Sequence, residues 1–300
     1  MVPSTLETSG SALRVAGDPT AVPQPQPQPQ PLTLPRPWSW LTSGVTLLAT
    51  VASAVGLIAA HRVYGRETRE LFDAATAQDV VTLVVVVPLL ASLALRARRG
   101  SLPALLCLPG VLAFTVYNYA IYSLSINFGP LFLVWVAVLG LSIFALIGVV
   151  ATVDRPAVTQ RFATQRLPGP AWVLIVVPAF FVLLWLAEIV PDLLSGGPSR
   201  SATAWNVPTN PVHVLDLAFF LPAAISSGVL LRRRRPLGYA TAAGQLVWLA
   251  LTCLPILVTP LVSSLRGHDT DGFVALPIGL LFLLLVVALA RLLRGAGRVR

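Results

Sequence analysis

The chain has 300 residues, of which 56% are hydrophobic and 11% charged, against roughly 25% charged in an ordinary soluble domain. So few charges cannot solvate the surface of a water-soluble fold, and that class is excluded. All 21 basic residues are arginine, and against 12 acids they give a net charge of +9. In a soluble protein such an excess points to nucleic acid. Here the arginines flank apolar runs, so they read as orientation signals beside a lipid bilayer, with no nucleic-acid partner.

Residues 1–37 read as a disordered, cytoplasmic Pro/Gln-rich tail. Pro23 to Pro31 alternates proline with glutamine, which favours extended polyproline II and cannot build a core. The tail lacks a basic start, so a cleaved signal peptide is not expected. A solvated spacer is the simpler reading; docking on an aromatic-lined groove is the alternative.

Eight apolar runs follow, at 40–61, 79–95, 102–125, 131–153, 170–190, 213–231, 237–258 and 273–293. Most reach the roughly 17–25 residues that a helix needs to cross about 30 Å of hydrocarbon. Backbone polar groups find no water there, so each run must be helical. A β-barrel would alternate polar and apolar residues, and these runs do not. The fold class is therefore all-α, a polytopic transmembrane helix bundle of eight spans over residues 38–300. Prolines 88, 109, 178, 222, 255 and 277 fall within or near the ends of spans and predict kinks rather than breaks. Cys107 and Cys253 lie at depths that differ by roughly 15 Å at 1.5 Å per residue, too far for a disulfide.

The arginines gather in every second gap. With the amino terminus inside, 16 of the 21 arginines lie on the inner side, including Arg96, Arg98, Arg99 and Arg232 to Arg235, and nine of the 12 acids lie outside. The positive-inside rule then predicts a cell-membrane protein with both termini cytoplasmic. Asp79, Pro88 and Arg98 are echoed by Asp216, Pro222 and Arg232, with ten residues from proline to arginine in both. This suggests two parallel repeats of four spans, 40–153 and 170–293.

Several stretches form a distinctive pattern: Gln78-Asp79-Val80-Val81-Thr82-Leu83, Pro88-Leu89-Leu90, Ala97-Arg98-Arg99-Gly100-Ser101, Tyr117-Asn118-Tyr119 with Tyr122, Asn127 before Pro130-Leu131-Phe132-Leu133, and His213-Val214-Leu215-Asp216-Leu217 leading to Arg233-Arg234-Arg235-Pro236-Leu237-Gly238-Tyr239. Over residues 40–294 the chain resembles an uncharacterised family of bacterial multispanning, eight-helix membrane proteins. That resemblance implies architecture and no assigned activity.

Polar residues that could carry function concentrate at the outer ends of the spans. Asp79 opens the second run, Glu188 closes the fifth, and His213 and Asp216 begin the sixth three residues apart, on one helix face. Together with Asn118 they form the candidate outer-face polar site. Imidazole and carboxylate could bind a metal or relay a proton; helix-end anchoring is the simpler reading of Asp79 and Asp216. Ionisable groups within the hydrocarbon are costly, which favours function. Tyr117, Tyr119 and Tyr122 suit an interfacial aromatic belt, the 191–211 loop could form a lid, and Gln245 reads as a contact within the bundle. No phosphate loop, nucleophile elbow, zinc helix or haem motif is present, so no metal or cofactor is expected. The readings that remain are small-solute or ion transport, a sensory or assembly role, and an outer-face metal-binding or enzymatic role using His213 and Asp216.

Overall fold

The computed structural model of the protein describes residues 33–162, 165–268 and 272–296. The expected tail lies outside the described residues up to position 32. Its last residues belong to the bundle instead. Leu34 is buried and its amide donates to Ala97 O at 3.1 Å. Helix α1 then spans Arg36–Ile58, with Pro37 in its first turn, where a missing N–H costs nothing.

Eight helical segments are long and apolar enough to cross a membrane, and no strand occurs among the described residues. The protein is a multi-pass integral membrane protein. The second span runs Arg69–Arg98, beginning about three turns before Asp79. Thr68 caps it, its hydroxyl accepting from Leu71 N at 3.3 Å, and Glu70 sits in the first turn where the helix dipole favours it. Asp79 is thus well inside a helix and caps nothing.

That span has three parts: α3 (Arg69–Val81), a π-helical segment Thr82–Val86, and α4 (Val87–Arg98) with Pro88 in its first turn. Pro88 cannot donate to the preceding turn, and the wider π turn takes up the mismatch. The sixth span repeats the design: α10 (Pro211–Leu215), a π segment Asp216–Phe220, and α11 (Leu221–Arg232) with Pro222. One offset of 134 residues (216 minus 82) maps the first π segment, its proline and the following helix onto the second. The same offset takes Gly100 onto Arg234, both with positive φ in the turn that follows. In this register Asp79 corresponds to His213, and Asp216 corresponds to Thr82.

The remaining long helices are α5 (Leu102–Ser125), α6 (Phe132–Ala151), α8 (Pro168–Ser195), α12 (Pro236–Leu265) and α13 (Ala275–Ala296). Short helices α2 (Ala60–Tyr64), α7 (Arg155–Phe162) and α9 (Arg200–Trp205) lie in the connections. Packing follows one circuit in each half: α1 on α4, α4 on α5, α5 on α6, α6 back on α1; then α8 on α11, α11 on α12, α12 on α13, α13 back on α8. The halves meet where α5 crosses α12. A Cβ on Gly110 would overlap the Gly244 carbonyl and Val247, so two glycines 134 residues apart let the backbones touch at the seam.

The tyrosines expected at the interface point inward instead. Tyr119 and Tyr122 are almost fully buried, packed edge-on against one another, and Tyr122 also packs on Trp135. Their hydroxyls lie among other buried polar groups, which a headgroup-facing position would not need. By contrast α8 and α13 leave many leucines and valines exposed. In lipid such faces need no protein cover. Cys107 and Cys253 are both free and buried.

A cavity walled by aromatics around Asp216

Glu67, Glu70, Asp73, Glu188 and Asp192 lie toward one end of the bundle, and Arg96, Arg98, Arg99 and Arg232 to Arg235 toward the other; we call these the acidic and arginine ends. Between the halves, toward the acidic end, lies a cavity of about 310 Å³, at the lower bound of ordinary ligand sites. Its walls are largely aromatic and aliphatic: Phe114 and Tyr117 from α5, Phe181 and Trp185 from α8, Trp248 from α12, and Trp205 from α9. Besides the tyrosines, the polar residues lining it are few: Gln78, Asn118, Asn210, Asp216, Thr252 and Thr259.

Asp216 opens the π segment, where the loosened turn sets the carboxylate between α5 and α8. It is 7% exposed. Its Oδ2 accepts from Trp185 Nε1 at 2.9 Å, and its Oδ1 is fully buried, with the Tyr117 hydroxyl of α5 beside the carboxylate. The Trp185 ring also packs on His213, centroids 4.7 Å apart. His213 Nε2 lies 3.8 Å from Glu188 Oε2, a charge-pair distance rather than a hydrogen bond. Trp185 is therefore the hub that joins Glu188, His213 and Asp216. Asn118 faces the same cavity from α5.

Asp79 stands apart. It does not line the cavity but lies behind its wall, 1% exposed. Tyr64 donates to its Oδ2 at 2.7 Å, and Tyr122 Oη lies 3.3 Å from Oδ1. Tyr122 itself lines the cavity, so one side chain links the two places. Burial holds the Tyr64 phenol well above its usual range, so it stays a donor.

A second cavity of about 260 Å³ lies toward the arginine end, bounded by Gly110, Phe220, Gly244, Gln245 and Arg155. Gln245 thus lines a space, in addition to any role as a bundle contact. Three rings stand between the cavities. Phe220 stacks on Trp248 at 4.9 Å, and Tyr117 meets both edge-on at 5.1 and 5.8 Å. Tyr117 and Trp248 face the first cavity and Phe220 faces the second. Asp216 and Phe220 are the two ends of one π segment.

Trp185 and Tyr64 carry no signal in the sequence, and a triad at the acidic end is joined only by the fold. Asp73, 3% exposed, accepts from Arg266 Nη1 at 3.0 Å and lies 2.7 Å from His268 Nδ1. Arg266 also stacks on Phe72, 3.6 Å from its centroid. The triad ties α3 to the end of α12 and so spans the two halves. Removing one partner of a buried ion pair costs about 3–5 kcal/mol. Asp73→Ala is therefore expected to free the 265–268 turn. Limited proteolysis in lipid should show new cleavage at Arg266, and an unchanged digestion pattern would refute the role.

Comparison of the chain with known families, curated proteins and solved structures returns no match.

Proposed function

We propose that the protein is a carrier for a small lipophilic amine, bound with its ammonium group on Asp216 and its apolar body against the aromatic walls. The observation that carries this is the Asp216 carboxylate on the wall of a cavity where, among the described residues, no arginine or histidine bonds it. A buried carboxylate needs a donor, best a charged one. Tyr117, Trp185 and Trp248 line the same cavity, and aromatic rings attract cations. The apolar remainder selects against well-hydrated ions.

Transport rather than binding alone is supported by the paired cavities and the thin aromatic layer between them. It is supported also by the 134-residue register, which we take as an internal duplication of four spans with its pseudo-axis at the Gly110–Gly244 crossing. Rocking of such halves would open one cavity while closing the other. We place the acidic end outside and the arginine end in the cytoplasm, as the positive-inside rule requires, and assign the chain to the bacterial eight-helix family that its motifs resemble. Cysteines introduced at Gly197 and Arg98 test the orientation. An impermeant thiol reagent on intact cells should label the first and spare the second, and the opposite pattern would invert the topology.

The ligand class is tested with purified full-length protein in lipid nanodiscs. Quenching of tryptophan fluorescence by 3-phenylpropylamine, 3-phenylpropanol and 3-phenylpropanoate compares cation, neutral donor and anion on one scaffold. The amine should bind about tenfold or more tightly than the alcohol, since a hydrogen bond to a charged group is worth about 1.5–3 kcal/mol. The anion should not bind. Equal affinity for amine and alcohol would reject the cationic ligand.

A further inference from the structure

We propose that Asp79 is a proton-binding site of this protein, a carboxylic acid held in its protonated form whose proton reaches the cavity through Tyr122. The inference comes from counting hydrogens. Tyr122 has one hydroxyl proton, yet its oxygen lies 2.9 Å from Ala75 O and 3.3 Å from Asp79 Oδ1. If Tyr122 donates to an ionised Asp79, its oxygen and the Ala75 carbonyl are left 2.9 Å apart with no hydrogen between them. If it donates to Ala75, the ionised Oδ1 faces another oxygen lone pair. A proton on Oδ1 resolves both. Asp79 then donates to Tyr122, Tyr122 donates to Ala75 O, and Tyr64 donates to Oδ2 at 2.7 Å.

The surroundings agree. Asp79 is 1% exposed and in no ion pair among the described residues. An ionised carboxylate so placed would have hydroxyl donors but no counter-charge to offset its lost hydration. The titratable groups that face it are phenols: Tyr64 from α2, and Tyr119 and Tyr122 from α5. Helix α1 contributes Ser53 and Gly56. On its own helix the nearest acid that bears charge is Asp73, about 9 Å up the axis, and Arg266 and His268 already hold it. The space is also built for the group, since a Cβ on Gly56 would overlap the Asp79 carboxylate. Tyr122 lines the cavity, so the proton has a defined exit. Asp79 passes its proton to Tyr122 Oη as Tyr122 releases its own to a water molecule entering the cavity, leaving one carboxylate and one hydronium ion that departs with solvent.

Coupling of this proton to ligand movement rests on the carrier reading; the proton site does not. The test is infrared difference spectroscopy of the full chain in lipid, with hydrogen–deuterium exchange. A protonated-carboxyl stretching band is expected near neutral pH in the wild type and in Asp216→Asn, and it should vanish in Asp79→Asn. Tyr122→Phe and Tyr64→Phe leave Asp79 in place, so they report even if Asp79→Asn fails to fold. Both should move the band, and Tyr122→Phe should also slow its exchange. A band that survives Asp79→Asn, or one that neither tyrosine variant moves, overturns the proposal. Amine binding can fail while the band stands, so the two readings fall separately.

Discussion

Replacing Asp216 with asparagine is expected to weaken binding of 3-phenylpropylamine about 10- to 100-fold, from the ~1.5–3 kcal/mol of a charge-assisted hydrogen bond and ~1.4 kcal/mol per tenfold in affinity. Asparagine keeps the size of the side chain and an acceptor oxygen for Trp185 Nε1, which now sits 2.9 Å from Oδ2. What it removes is the charge, and with it the reason for an ammonium group to prefer this site. Binding of 3-phenylpropanol should change little, because its contacts are with the aromatic walls. Trp185→Phe should act differently. It keeps the apolar wall but frees the carboxylate to rotate, so the amine should lose affinity less than in Asp216→Asn. Fluorescence titration of the three proteins against both ligands decides the matter. An equal loss for amine and alcohol would mean that the substitution deformed the cavity rather than removed a counter-charge.

At the seam between the halves, Gly110→Ala should destabilise the bundle by about 2–3 kcal/mol, the upper part of the range for overpacking, whereas Gly244→Ala should cost under about 1 kcal/mol. The asymmetry follows from direction. A Cβ on Gly110 runs into the backbone carbonyl of Gly244 and into Val247, neither of which can swing aside. A Cβ on Gly244 meets Gly110 N at 3.2 Å, with Leu106 O and Pro109 Cβ at 3.5 Å, contacts that a shift of a few tenths of an ångström relieves. Thermal unfolding midpoints of the two variants in the same lipid provide the measurement. Equal losses, or a larger loss for Gly244→Ala, would show that α5 and α12 do not cross as described.

The eight spans were legible because each apolar run exceeds what a soluble core helix needs. The start of the second span was not. Arg69, Glu70 and Asp73 depress the local hydropathy, although the Thr68 cap and Glu70 in the first turn were readable signals of a helix. Asp216 and Glu188 could be singled out because charge within hydrocarbon is expensive, and Asp79 because it opens an apolar run. Their surroundings could not, because partners lie far away in the chain: Trp185 is 31 residues from Asp216, and Arg266 is 193 from Asp73. The echo between Pro88 and Pro222 was visible, and matching the acids invited Asp79 to be aligned with Asp216. The backbone register pairs Asp79 with His213 instead. The π segments that establish that register leave no mark in composition; they arise where a proline is accommodated three-dimensionally. Tyr117, Tyr119 and Tyr122 show the limit of the belt rule, since buried carboxylates and neighbouring rings draw them inward.

In the first half α6 closes back firmly on α1, whereas in the second half α13 touches α8 over a much shorter stretch. Val177 and Phe181 of α8 and Ile278, Leu281 and Leu285 of α13 line the Asp216 cavity, while Phe180, Leu183, Leu280 and Leu284 of the same helices are exposed. The cavity is thus divided from the acyl chains by one loosely joined wall. A lipophilic amine would arrive sideways, after dissolving in the leaflet, rather than from bulk water. Its apparent affinity would then track how strongly it partitions and how much lipid surrounds each molecule of protein. Constants measured at different lipid-to-protein ratios become comparable only when expressed as concentrations within the membrane.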